Sequence, residues 1–191
     1  MTSTSHANLL DLLRSDVAAW NVFRAEDASR VVGLSDVDLA GARLAGANLV
    51  GVDLTGSDLS GADLTDASLA GANLTSAELI GTDLSRADLA GVVAHDANFT
   101  GAYLTRADLR NADLTLAYLT RAYLAHANLG GADLSGAYMT GAYLAGADLS
   151  GATLVRTYLG KADLSGANIT AAVLDGADLT DATLPDGTTN A

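Results

Sequence analysis

An apolar residue returns at every fifth position through most of this chain. From Leu34 to Leu184 the phase never slips, giving 31 in-register positions, all Leu except Ala94, Phe99, Met139 and Ile169. Two residues before each stands a small side chain, most often Ala, as at Ala62, Ala67, Ala72 and Ala77. The other three positions are mostly Asp, Asn, Ser, Thr, Gly, Arg or Tyr. An α-helix cannot use this pattern, because five residues overshoot a full turn by ~140° and the leucines would spiral over every face. A flat strand fails as well, since an odd period throws successive leucines to opposite sides. The phase is restored if the chain bends once in every unit. Each unit is then a short extended piece with Ala and Leu pointing inward, followed by a corner. Gly or a small polar residue two positions after the Leu, as at Gly41, Gly46 and Gly51, suits that corner.

Bending repeatedly in one sense winds the chain into a solenoid of stacked parallel coils about 4.8 Å apart, each burying its apolar side against its neighbours. The six tyrosines bear on the number of sides. Tyr103, Tyr118, Tyr123, Tyr138, Tyr143 and Tyr158 each precede an inward residue and so point outward. The doublets Tyr118/Tyr123 and Tyr138/Tyr143 recur at 20 residues, which favours a four-sided turn with two adjacent tyrosine columns. A three-sided turn of 15 residues would instead pair Tyr103 with Tyr118.

The phrase A(D/N)LXX, seen in GADLTDASLAGANLTSAEL from Gly61, resembles the signature of the pentapeptide repeat family over about four fifths of the chain. The resemblance implies the family's fold, a right-handed quadrilateral β-helix. The expected fold class is therefore an all-β solenoid, a right-handed quadrilateral parallel β-helix with a short N-terminal α-helical cap. The segment WNVFR at 20–24 is similar to the leader of many members of this family.

The expected organisation is a disordered N-terminus over 1–7, a helical cap over 8–29, the repeat coil over 30–184 and a tail over 185–191. Asn8 can cap a helix carrying Leu9, Leu10, Leu12 and Leu13, and Ser15 or Asp16 can cap a second with Val17, Trp20 and Phe23 on one face. Such a lid would hide the apolar cross-section and unpaired edge of the first coil; the other reading is a docking helix for a partner. At VVAHDANF, Ala94 replaces Leu and predicts a local dent filled by Phe99 or Val92. The tail PDGTTNA is too short and polar for a capping helix, so the last coil is either blunted by Pro185 or covered by a second copy in an end-to-end homodimer.

Composition narrows the function. The chain has no Cys, which excludes disulfides and thiol chemistry. No apolar run reaches the ~18 residues of a membrane span, and Leu9–Leu13 is broken by Asp11 with no basic segment before it, so a cytoplasmic protein is expected. The net charge of −13 is uneven: residues 36–88 carry −7, residues 89–163 only −1, and residues 164–191 carry −4. The tyrosines thus occupy a nearly neutral middle, and the sign of the whole disfavours direct nucleic-acid binding.

Signals of an enzyme are absent. His6, His95 and His126 have no spacing suited to a metal, the carboxylate pairs are everywhere and single none out, and a filled coil offers no pocket. No cofactor is expected. Three surface features remain. The early coils carry Asp53, Asp58, Asp63, Glu78, Asp83 and Asp88, either a solvated, turn-tolerant surface or a rod of negative charge shaped for a DNA-binding groove. The six tyrosines either pack on one another or form an amphipathic patch for a partner. A basic column, Arg86–Arg106–His126, with Arg110, Arg121, Arg156 and Lys161 nearby, either offsets acids or clasps a partner's carboxylates. Two functional classes follow. The resemblance to the family implies a DNA mimic that binds DNA gyrase, a type II topoisomerase, and protects it from inhibitors. The other class is a protein–protein interaction scaffold using the tyrosine belt or the N-terminal helix.

Overall fold

The residue before each inward Leu is the pairing unit of the fold. In the computed structural model, which describes residues 6–27 and 32–190, each such residue bridges in parallel to the one 20 positions on, from Gly33↔Asp53 through to Asp163↔Thr183. Four bridges fall within each 20-residue turn, so the coil has four sides and the tyrosine spacing pointed to the right period. Each bridge is a two-way exchange: Leu39 donates to Asp58 O at 2.6 Å and Asp58 donates to Val37 O at 3.0 Å. Only one residue per side pairs before the chain bends again, so the sides are bridges and not extended strands.

Every corner is a β-turn. The amide of Ala62 donates to Leu59 O at 3.0 Å, with Gly61 between them at φ +65°. A positive φ at the third turn position alone matches a type II turn, which explains the glycines two after Leu. Where glycine is absent the corner is still left-handed, and Leu116 is the largest apolar residue held there, at φ +58°. The Leu and Ala columns fill the interior with almost no exposure. Three inward positions carry hydroxyls in place of Ala: Ser57, Thr82 and Thr157 donate to Leu34 O, Leu59 O and Leu134 O at 2.7–2.8 Å, so none of these three hydroxyls is stranded. Ala94, Phe99 and Val92 are all fully buried.

The N-terminal lid is two helices, α1 (His6–Ser15) and α2 (Val17–Glu26). Helix α1 begins at His6, so Asn8 lies in its first turn, and the expected unstructured stretch 1–7 overlaps it. Residues 1–5, and the expected entry to the coil at Arg30, lie outside the described residues. Asp16 caps α2, its Oδ1 accepting from Ala19 N at 2.9 Å. Leu13 and Trp20 are fully buried on the first coil. The tail does not form a helix: after Pro185 it turns back, and β2 (Thr189–Asn190) pairs antiparallel with β1 (Ala182–Thr183) on the last coil.

Candidate partner-binding surface

The 20-residue period sorts the exterior into four faces. One face reads Asp38, Asp58, Glu78, Asn98, Tyr118, Tyr138, Tyr158, Asp178; the next reads Arg43, Asp63, Asp83, Tyr103, Tyr123, Tyr143, Asp163, Thr183. We call these the first and second faces. On both, a run of acids towards the N-terminus gives way to three tyrosines. The six acids expected to act together are therefore split: Asp58 and Glu78 share the first face, Asp63 and Asp83 the second, while Asp53 and Asp88 lie on the other two.

Most of these carboxylates also do a structural job. Asp58 Oδ1 accepts from Ser60 N at 2.9 Å, Asp63 from Thr65 N at 3.0 Å, Asp83 from Ser85 N at 2.9 Å and Asp88 from Ala90 N at 3.1 Å. Asp53 accepts from both Thr55 N and Thr55 Oγ1. This is the Asx-turn, in which a short side chain closes the corner two residues on. The recurring triplet Asp-Leu-Thr/Ser was its sequence signal. Glu78 is too long for it and instead accepts from Asn98 Nδ2 at 2.8 Å. The Ser60 hydroxyl and amide hold the Asp58 carboxyl below its ordinary value, and the hydrogen-bonded Arg86 guanidinium does the same to Asp66.

The tyrosines form two ladders. Tyr103–Tyr123–Tyr143 and Tyr118–Tyr138–Tyr158 stack with ring centroids 4.8–5.0 Å apart and planes within 2–9° of parallel. Each is still 37–46% exposed. Because the ring faces cover one another, the ladders present ring edges and hydroxyls outward. None of the six hydroxyls has a hydrogen-bond partner among the described residues. The rings thus pack on one another, as one reading of the sequence expects, and they also remain an exposed amphipathic surface.

The cations divide in the same way. Arg86 makes a two-pronged contact to Asp66, Nε to Oδ1 at 2.8 Å and Nη2 to Oδ2 at 2.6 Å, and Arg110 pairs with Asp108. Arg106, Arg121, Arg156 and Lys161 occupy the corners beside the tyrosine ladders, exposed and with no partner among the described residues. The near-neutral middle is therefore lopsided. Its tyrosine side carries the unpaired cations together with Asp96 and Asp163, while Asp108, Asp113, Asp133 and Asp148 lie on the two opposite faces. A shallow open depression of about 360 Å³ lies where acid gives way to tyrosine, lined by Ser76, Glu78, Asp96, Asn98 and Tyr118. His95 Nδ1 lies 2.7 Å from Thr115 Oγ1 on the same corner of the next coil. No helix among the described residues is long and apolar enough to cross a membrane.

The family model for pentapeptide repeats matches this chain from residue 34 to residue 184 in overlapping segments. The chain belongs to the pentapeptide repeat family. Among solved structures it is similar to HetL of the cyanobacterium Nostoc sp. strain PCC 7120, a pentapeptide repeat protein involved in heterocyst differentiation regulation. The identity is 30%, with 88% of this chain and 98% of that one covered, at a TM-score of 0.48. It is also similar to QnrB1, a plasmid-mediated fluoroquinolone resistance protein, at 24% identity over 81% of this chain and 90% of that one, TM-score 0.44. A pentapeptide repeat protein of the Arabidopsis thaliana thylakoid lumen matches at 32% identity over 60% of this chain and 66% of that one, TM-score 0.33. No curated protein matches. None of these TM-scores reaches one half, and no role is carried across from them.

Proposed function

We propose that this chain is a right-handed, non-catalytic binding rod, acting in the cytoplasm, that docks a protein partner on its two tyrosine-bearing faces. The observation that supports it most is the pair of stacked, exposed ladders with six unpartnered hydroxyls. Rings already fixed by stacking lose little freedom on binding, and each offers an apolar edge beside a hydrogen-bonding group. The unpaired Arg121, Arg156 and Lys161 at the corners add charge-assisted contacts to a partner's carboxylates. Replacing Tyr118, Tyr123, Tyr138 and Tyr143 with Ser leaves the coil intact and removes partner capture, scored by quantitative affinity purification against the parent chain. Unchanged capture by the four-Ser chain would end this reading.

A second reading is DNA mimicry towards DNA gyrase, with protection of the enzyme from inhibitors. The acidic columns Asp38–Asp58–Glu78 and Asp63–Asp83 support it, since they set negative charge at coil spacing on two adjoining faces. The Asx-turn role of most of these aspartates weighs against it, because it accounts for them on all four faces alike. A supercoiling assay with and without inhibitor decides: no inhibition and no protection at low micromolar protein eliminates the mimic. End-to-end pairing through the last coil is compatible with either reading and is supported by the half-exposed Ile169, Leu174 and Leu179.

A further inference from the structure

The acid-to-tyrosine sequence along the first face is self-complementary when the rod is reversed. Turning a second copy end for end about an axis through Asn98 brings Glu78 opposite Tyr118, Asp58 opposite Tyr138 and Asp38 opposite Tyr158 of the other copy. The adjacent corner column obeys the same operation: Asp36, exposed at one end, meets Arg156, exposed and unpartnered at the other. On the opposite corner Arg121 arrives over Gly81, between Glu78 and Asp83. A two-fold axis in the plane of contact requires each such pair to occur twice.

We infer that the first face is a homotypic interface, on which two copies pack side by side and antiparallel, tyrosine hydroxyls and arginines of each meeting the carboxylates of the other. This rests on the reading of the tyrosine faces as a docking surface and names the partner as a second copy. Carboxylates are the chemistry that the ladder accepts. Its ring faces are covered by one another, so no nucleobase can stack between them, whereas the outward hydroxyls and the corner guanidinium groups donate. The second face obeys a like operation about Tyr103, setting Asp83 opposite Tyr123 and Arg43 opposite Asp163, but there the axis sets the longer Arg106 against itself; cross-linking at Asn98 tells the two faces apart.

One meeting on the first face is unfavourable: Asp96, exposed beside the axis, faces its own copy across the shallow depression. The overlap from Asp38 to Tyr158 spans six coils, about 29 Å. With one pentapeptide side about 15 Å wide, the contact is roughly 450 Å² per partner, near half that of a standard stable interface of about 800 Å². The dimer is therefore a weak, transient one. It needs enough salt, about 0.15 M, to screen the repulsion between two chains of −13.

Sedimentation equilibrium at that ionic strength tests the association, and cross-linking tests its register. The chain has no cysteine, so Asn98→Cys alone joins two copies by oxidation while Ser68→Cys, on the opposite face, does not. Asp36→Arg and Arg156→Asp each weaken self-association about tenfold. Mixing the two variants restores it, because each then supplies what the other lacks, and restoration by mixing cannot arise from misfolding. Asp96→Asn strengthens the dimer. A monomer at all concentrations, Asn98→Cys linking no better than Ser68→Cys, or the two charge variants failing to rescue each other would overturn the inference. Loss of capture of another protein by the four-Ser chain would, in that event, still leave the docking reading standing.

Discussion

The two ends of the coil solve the same problem differently. At the N-terminal end, the first coil exposes carbonyls and amides that elsewhere pair with a preceding coil, and side chains of the lid take that coil's place. Trp20 Nε1 donates to Asn48 O at 2.8 Å, Asn21 Nδ2 donates to Gly46 O at 2.9 Å, and Asn21 Oδ1 accepts from Asn48 N at 2.8 Å. Arg14 donates to Asp38 O and Arg24 to Val50 O. At the C-terminal end only one side is dressed. Asp181 donates to Asn190 O and Leu184 to Thr188 O, but the amides of Ile169, Leu174 and Leu179 have no acceptor among the described residues. Their side chains are half-exposed, where the leucines of the body are fully buried. A coil is held by what lies on both sides of it, and a helix can stand in for a coil only if its side chains reproduce the edge's hydrogen bonds.

The largest effect is expected at the sealed end. Trp20→Ala removes the biggest fully buried side chain and leaves Asn48 O without its donor. A loss of about 3–5 kcal/mol is expected from denaturant unfolding. Hydrogen exchange should then show the first coil opening ahead of the middle. A loss below about 1 kcal/mol would mean that the lid merely rests on the coil.

The same truncation placed at each end sharpens the contrast. Leu44→Ala, fully buried in the first coil, should cost about 2–5 kcal/mol. Leu179→Ala, half-buried in the last coil, should cost less than about 1 kcal/mol in global stability, because that coil opens locally before the body unfolds. Equal losses would show that the C-terminal end is covered in solution, and their dependence on protein concentration would say whether a second copy covers it.

The coil was legible because its determinants repeat. One Leu per corner and one small residue two before it fix which side chains point inward, and the tyrosine spacing favoured 20 residues over 15, as did the family resemblance. The lid's existence was legible from helix caps and apolar spacing, but not its hydrogen bonds to coil carbonyls, since nothing local marks Asn21 or Arg24 as reaching 26 or so residues ahead. The surface was half legible. Outward positions followed from phase, and a four-sided coil already sets Asp58 with Glu78 and Asp63 with Asp83, yet Asp53 and Asp88 were grouped with them although they lie on the other two faces. The Asx-turns went unread because Asp in such a repeat registers first as charge.

Acid should erode the body and the last coil alike. Hydrogen bonds from Arg110 lower Asp108, those from the Ser150 amide and hydroxyl lower Asp148, and those from Thr180 lower Asp178. A carboxyl lowered in the folded state contributes stability in full above its unfolded value, about 3.9. That contribution disappears as pH falls through the lower folded value. Thermal melts should thus be insensitive to these groups from pH 7 to 5 and fall steeply below about pH 4. Stability that rises on acidification to pH 3 would show instead that relief of the −13 repulsion outweighs the corner bonds.

The smallest effect uses the corners themselves. Leu116 in the body and Ala171 in the last coil are both held left-handed, at φ +58° and +59°, a conformation that costs a non-glycine residue about 1 kcal/mol or more. Leu116 is exposed, so Leu116→Gly forfeits little burial and should raise global stability by about 0.5–1 kcal/mol. Ala171→Gly relieves the same strain, but in a coil whose amides lack a following partner. If that coil frays before the global transition, the relief is spent within the frayed unit: protection of last-coil amides rises while the unfolding midpoint stays put. A matched rise in midpoint for both would mean that the last coil unfolds together with the body, and the difference between the two ends would then be one of covering alone and not of cooperativity.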